Sequence, residues 1–372
     1  LTDTGSDTWI LDTPLPLIEA LLASDWRVIG PQVRDRAIVY EPMTSASALP
    51  QGVIDRQAPG SYGLEMDSSD RWFDYVVGPQ NWKRWLFPPH QKLWSAKREA
   101  DGFSVTQVPF DWPQTAFFGI RPCDLAALEI LDRVLGPDGA DDPAYQKRRA
   151  DTLIVVVQCA RSGPTCFCAS MNTGPHATGG YDIALTELED GKICMTAGTP
   201  RGLEITRSLD AEPAIDEHLL AARSAGQAAA RQQVRSMPAG IADTLKSAPE
   251  SPQWDEVASR CLACANCTLA CPTCFCTDVE DTNDLSGDNA ERTRVWDSCF
   301  NLDFSYIHGG EVRTSIKSRY RQWMTHKLSS WHDQFGTSGC VGCGRCIAWC
   351  PVGIDITEEA KTFDPTPEEA NP

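Results

Sequence analysis

The sequence predicts an α+β or α/β N-terminal region built on a mixed or parallel sheet, followed by a mainly helical domain organised by cysteines. Three observations carry that expectation. The apolar runs TAFFGI and TLIVVVQ bracket the amphipathic stretch LAALEILDRVL, a strand, helix, strand order that brings buried strands into parallel pairing. A four-cysteine run occurs twice near the C-terminal end, as CLACANCTLAC from Cys261 and as CVGCGRCIAWC from Cys340. The 79 residues between their first cysteines include the helical pattern EVRTSIKSRYRQWMTHKL, too much chain for one compact hairpin scaffold.

In chain order, residues 1–110 read as an α/β subdomain. PLIEALLASD is a short helix opened by Pro16, and RVIGPQV and RAIVYEPM are strands. The aromatic stretch WFDYVVGPQNWKRWLFPPHQKLW reads as a packed shelf over which Lys83, Arg84 and Lys92 extend to water. Residues 111–215 form an α/β subdomain with a cysteine-rich sheet edge. Its buried strands end near Cys123 and Cys159, and YDIALTEL and KICMTAG make a hairpin turning at Glu189, Asp190 and Gly191.

Residues 216–250 are a helix, roughly Asp216 to Met237, and a linker marked by Pro238, Gly240 and Pro249. Residues 251–372 form the helical domain. Ser251 and Pro252 suit an N-cap and a first helical position, so a helix delivers Cys261. Ile316, Tyr320, Trp323 and Met324 mark the buried stripe of the long helix. Arg319, Arg321, His326 and Lys327 either compensate cluster charge or form a solvated basic face. The tail after Ile356 reads as acidic and loosely ordered.

The cysteine spacing carries the chemistry. Cys261, Cys264, Cys267 and Cys271, followed by Pro272, match C-x2-C-x2-C-x3-C-P, and Cys340, Cys343, Cys346, Cys350 and Pro351 repeat it. Three closely spaced thiolates wrap one corner of a 4Fe-4S cubane, and the fourth rides away on the next segment to serve the neighbouring cluster. One cluster is therefore expected on Cys261, Cys264, Cys267 and Cys350, and a second on Cys340, Cys343, Cys346 and Cys271. Zinc suits soft thiolates too, but its sites use separated C-x2-C pairs rather than two complete copies of this pattern.

The five residues PTCFC occur twice, at Pro164 to Cys168 and at Pro272 to Cys276. Adjacent parallel strands ending near Cys123 and Cys159 put those thiols at one sheet edge. Alternate residues of an extended segment share a face, so Cys166 and Cys168 point there together. These four cysteines are expected to hold a third 4Fe-4S cluster, with zinc as the main alternative and buried packing as the plain one. Cys194 belongs with core packing. Cys274 and Cys276, with Cys299, are expected to pack beside the second copy rather than bind metal.

The 372 residues, 42% hydrophobic and 23% charged, suit two or three ordinary globular domains. A formal charge of −18 makes nucleic acid a poor partner. No apolar run reaches the length of a membrane span. Sixteen cysteines with no visible leader suggest a reducing cytoplasm, although the chain begins at Leu1, which limits any statement about targeting. There is no G-x-G-x-x-G after a strand, no Walker loop and no H-E-x-x-H. The chain is thus expected to pass electrons rather than to make or break substrate bonds.

Beyond the paired cysteine motifs, the stretches FFGIRPCDLAAL, PTCFCASMNTGP followed by GYDIALTEL, CPTCFCTDVED, WDSC ending at Cys299, and HKL before CVGCGRC resemble one family across nearly the whole chain. It is the iron-sulfur beta subunit of cytoplasmic sulfhydrogenases, the NAD(P)-linked nickel-iron hydrogenases, and is related to the iron-sulfur subunit of anaerobic sulfite reductase. The resemblance implies a heterotetramer. A flavin-containing NAD(P)H-oxidoreductase subunit lies on one side of the beta subunit. A hydrogenase small subunit, joined to the large catalytic subunit, lies on the other. The sulfite reductase role is the alternative within the family, and a regulatory or structural iron-sulfur protein is the alternative outside it.

Overall fold

Buried β-branched and aromatic runs build the centre of the N-terminal region. The computed structural model describes residues 7–108 and 111–363. Its largest sheet has eight strands, in the order Glu212–Pro213, Thr8–Leu11, Ile193–Ala197, Ile183–Glu187, Thr152–Val157, Thr115–Ile120, Arg27–Arg34 and Ala37–Pro42. The three pairings from Ile183–Glu187 to Arg27–Arg34 are parallel and the outer ones antiparallel. Every residue of Thr115–Ile120 and of Thr152–Val157 is buried, as expected of parallel strands covered on both faces. The sheet thus draws strands from both 1–110 and 111–215.

The helix Pro122–Leu135 follows the strand Thr115–Ile120 directly and buries Leu125, Leu128, Leu131 and Leu135. A second helix, Pro143–Ala150, precedes Thr152–Val157. Its polar composition hides it from the hydrophobic pattern, but Asp142 caps it by accepting a hydrogen bond from the Tyr145 N–H at 2.9 Å.

The helix Asp216–Arg231 ends six residues before Met237. Gln232 and Gln233 there turn their side-chain carbonyls to the N–H groups of Ser162 and Ala169, both at 3.0 Å, instead of extending the helix. The expected linker contains a further helix, Ile241–Ser247, held by buried Ile241 and Leu245.

The C-terminal region is helical around its own core of Trp254, Val257, Phe300, Tyr320, Trp323, Met324, Leu328, Ile347 and Ile356. The helix Gln253–Arg260 starts one residue later than Ser251 and Pro252 suggested, and it delivers Cys261 at its C-cap. Ile316–Thr325 continues through a wide π-helical turn, His326–Ser330, into Trp331–Phe335. A last helix, Ile356–Lys361, is capped by Asp355, so the chain after Ile356 is ordered at least that far; residues 364–372 lie outside the described ones.

One correction concerns the segment between the cysteine motifs. Thr277–Asn283 and Asn289–Trp296 form an antiparallel hairpin that adds to His90–Glu99 and Gly102–Gln107, making a four-stranded sheet shared by both regions. TDVEDTN carries too many carboxylates for a period-two pattern to stand out, and all but its first residue are exposed.

Candidate iron-sulfur centres

A cavity beside the helix Ile316–Thr325 is lined by Cys261, Cys264, Cys267, Cys346 and Cys350. Phe300, Tyr320, Trp323, Ile354 and Ile356 supply its apolar wall. Ala263 and Ala265 take positive φ of 50° and 66°, which folds the cysteine loop tightly around the cavity. Burial and then the neighbouring thiols of Cys261, Cys350 and Cys264 push the Cys267 thiol well above its usual value. Of the sixteen cysteines only Cys264 is exposed.

Cys340, Cys343, Cys346 and Cys271 make the next set. Burial pushes the Cys346 thiol well up, followed by Cys340, Cys343 and Cys271. The Cys340 thiol is raised to about 12, mainly by burial. Cys271 goes the other way. Its thiol is held well below the usual value by a hydrogen bond with Cys274, and Lys327 reinforces this against the effect of burial. Cys350 lines the cavity of the first motif, and Cys271 lies near enough to Cys346 of the second to act on its thiol. Grouped buried thiols of this kind suit a cationic iron-sulfide core, which deprotonates thiols on binding. Among the described residues no three His, Cys, Asp or Glu side chains converge tightly enough for a single metal ion, and a cubane instead spreads its ligands over separate corners.

Cys123, Cys159, Cys166 and Cys168 are all buried. Cys123 occupies the first turn of Pro122–Leu135, three residues past Thr115–Ile120, and Cys159 lies two residues past Thr152–Val157. Burial, then the nearby Cys168 and Cys159, pushes the Cys166 thiol well above its usual value, and burial, then Asp124 and Cys168, does the same for Cys123. A Cβ on Gly174 would stand 3.1 Å from the Cys168 sulfur, and one on Gly163 would stand 3.5 Å from the Cys166 sulfur, so the surrounding loops hug the thiols. Arg121 points Nη1 at the Cys159 sulfur at 3.9 Å, and Gln233 donates to the Cys168 sulfur at 3.2 Å.

Both PTCFC copies contact the second cysteine motif or the glycine that precedes it. On the first, the Phe167 N–H donates to the Gly342 carbonyl at 2.9 Å, and Gly344 lies against Thr165. On the second, the Thr273 hydroxyl donates to the Gly339 carbonyl at 2.6 Å. Cys274, Cys276 and Cys299 line a small cavity with Trp323, His326 and Trp331. Cys299 hydrogen-bonds Cys276, whose thiol is lowered to about 7. Cys194 is buried in strand Ile193–Ala197 with Ile10 and Leu188, far from these groups in the sheet order.

The basic residues divide sharply. Arg319 bonds the Phe300 carbonyl and Arg321 pairs with Glu250, whereas Lys327 is buried against Cys271. Lys83 corrects the expectation of a water-seeking side chain. It is buried, donates to the Cys274 carbonyl and lies 3.9 Å from the centre of the Trp296 ring. Its neighbours come from a segment almost two hundred residues away, so nothing local in KRW announces them. Hydrophobic and cysteine patterns do not single out Arg345 and Asp124 either, although both stand inside cysteine motifs, in CGRC and in RPCD. A charge between metal-binding cysteines is the signal that could find them.

Comparison with known proteins agrees with this arrangement. Residues 260–354 match the family model of a 4Fe-4S dicluster domain. No solved structure matches the chain. Sulfhydrogenase 2 subunit beta of Pyrococcus furiosus is 33% identical over 286 residues, which cover 76% of this chain and 81% of that protein. With a dicluster domain at its C-terminal end and that similarity running through its N-terminal sheet, the chain belongs to the family of sulfhydrogenase beta subunits.

Proposed function

We propose that this chain is the iron-sulfur relay of a cytoplasmic nickel-iron hydrogenase, passing electrons between a flavin-containing NAD(P)H-oxidoreductase subunit and the hydrogenase small subunit that serves the large catalytic subunit. The first cluster is assigned to Cys261, Cys264, Cys267 and Cys350, the second to Cys340, Cys343, Cys346 and Cys271, and a third 4Fe-4S cluster to Cys123, Cys159, Cys166 and Cys168. Such clusters supply one-electron storage at potentials that the surrounding protein sets.

One observation carries the reading: the three thiol sets are contiguous. The Phe167 N–H bonds the Gly342 carbonyl between the third set and the second, and Cys346 of the second set lines the same cavity as Cys261, Cys264, Cys267 and Cys350 of the first. The row reaches the surface at Cys264. A structural role would need no such continuity from the sheet edge to an exposed thiol. The residues around the row exclude water with aromatic rings and fix the loops with buried hydroxyls, here Thr165 and Thr273.

Anaerobic purification of the complex with and without this chain tests the proposal. Hydrogen-dependent NAD(P) reduction is expected only when the chain is present, while the isolated chain shows no hydrogen-consuming activity. Full NAD(P)-linked turnover by a complex lacking the chain would overturn the relay, and a sirohaem-containing partner in place of a nickel protein would overturn the hydrogenase assignment.

A further inference from the structure

The three thiol sets are hydrogen-bonded differently. In the first, the donors to sulfur are backbone N–H groups, from Ala263 to Cys261 at 3.4 Å and from Ile354 to Cys350 at 3.3 Å. The second also has a backbone donor, from Gly342 to Cys340 at 3.5 Å, but adds the Lys327 ammonium, 3.3 Å from the Cys271 sulfur, 3.2 Å from the Thr273 hydroxyl and 2.9 Å from the Gly339 carbonyl. Lys327 is 5% exposed, and its three donors are used on a thiol, a hydroxyl and a carbonyl, with no carboxylate among them. The wide turn His326–Ser330 brings it inward, and the Lys327 carbonyl in turn accepts from the Gly339 N–H at 2.7 Å.

A buried ammonium without a carboxylate is costly unless another anion neutralises it. The anion within reach is the sulfur of Cys271. Each electron added to a cluster adds one negative charge, and a fixed positive charge hydrogen-bonded to a ligand sulfur stabilises that reduced form.

We infer that Lys327 is a positioning residue that raises the reduction potential of the second cluster above that of the first, so that an electron entering at the Cys264 side comes to rest beside Cys271. This inference rests on the assignment of Cys271 to the second cluster. Lys83 provides an internal control. It is also a buried lysine beside the Cys271–Cys276 segment, brought there by a distant helix, but its ammonium goes to the Cys274 carbonyl rather than to a sulfur.

The test is an anaerobic redox titration of the full chain followed by electron paramagnetic resonance. Lys327→Met and Lys327→Gln are expected to reduce the one-electron reduction equilibrium of one cluster at least tenfold, about 59 mV. The other clusters should be unmoved, and Lys327→Arg should restore most of the loss. Lys83→Met should shift it by less. A fully iron-loaded Lys327→Gln protein with unchanged potentials overturns the inference, and this variant keeps a hydrogen-bonding side chain where Lys327→Met fails to fold. If Cys271→Ser instead leaves every cluster signal and the iron content intact, the ligand assignment fails and takes the inference with it.

Discussion

Arg345 and Asp124 form a doubly hydrogen-bonded ion pair, at 2.7 and 2.8 Å, with both side chains no more than 1% exposed. Arg345 stands between Cys343 and Cys346, and Asp124 follows Cys123. The pair therefore ties the second cysteine motif to the sheet-edge thiols across 221 residues of chain. Arg345 Nε also donates to the carbonyls of Gly78 and Gln80, so each of its three nitrogens is hydrogen-bonded. Burial works against its charge, and Asp124, with Cys343, outweighs that and raises its pKa.

Removing one partner leaves the other charged and buried. Arg345→Met or Asp124→Asn should cost about 3–5 kcal/mol in denaturant unfolding. The double substitution should cost less than the sum of the two, because the second change removes the orphaned charge. Additive costs would mean that the two groups act separately.

Crossed ligation predicts crossed damage. Cys271→Ala should bleach the signal of the cluster whose other thiols are Cys340, Cys343 and Cys346, and Cys350→Ala that of the cluster on Cys261, Cys264 and Cys267. Electron paramagnetic resonance of each variant decides this. Loss confined to the cluster of the same motif would refute the crossing.

The third site predicts metal content. Anaerobically purified protein should contain about twelve irons rather than eight. Cys123→Ala or Cys166→Ala should remove about four. About eight irons and no zinc, unaltered by either substitution, would leave these thiols as core packing.

Cys274 lies beside Cys271 and is not among the assigned ligands. Cys274→Ala should retain its full complement of iron while altering the signal of the second cluster, since it removes the hydrogen bond to Cys271. Loss of about four irons would make Cys274 a ligand.

Gly342 reports on the contact between the first PTCFC loop and the second motif. It has φ +64°, and a Cβ there would lie 2.6 Å from the Cys168 nitrogen and the Phe167 carbonyl carbon. Gly342→Ala should cost at least about 1–3 kcal/mol from backbone strain alone. It should disturb the second and third sites together. Native stability with unaltered iron would show that the two loops are not in close contact.

Much of this architecture is legible without coordinates where local pattern and burial agree. TAFFGI and TLIVVVQ are apolar at every position because parallel strands are covered on both faces, and the strand, helix, strand order dictates their pairing. The C-x2-C-x2-C-x3-C-P spacing is equally local, since it is imposed by the size of a cubane. The hairpin Thr277–Asn283 with Asn289–Trp296 is not legible in this way because the side chains of Thr277–Asn283 face water and those of Asn289–Trp296 are mostly half-buried, so pairing with His90–Glu99 and not composition makes it a strand.

The sequence alone therefore determined the parallel sheet core and the two cluster motifs, because each follows from pattern or spacing within a short segment. Tertiary structure alone decided that Lys83 and Lys327 are buried beside the Cys271 loop, that Arg345 pairs with Asp124, and that both PTCFC copies contact the second motif or the glycine that precedes it. These depend on which distant segments share a desolvated space, where a charge persists only if an opposite charge or a hydrogen-bond acceptor arrives from elsewhere in the chain.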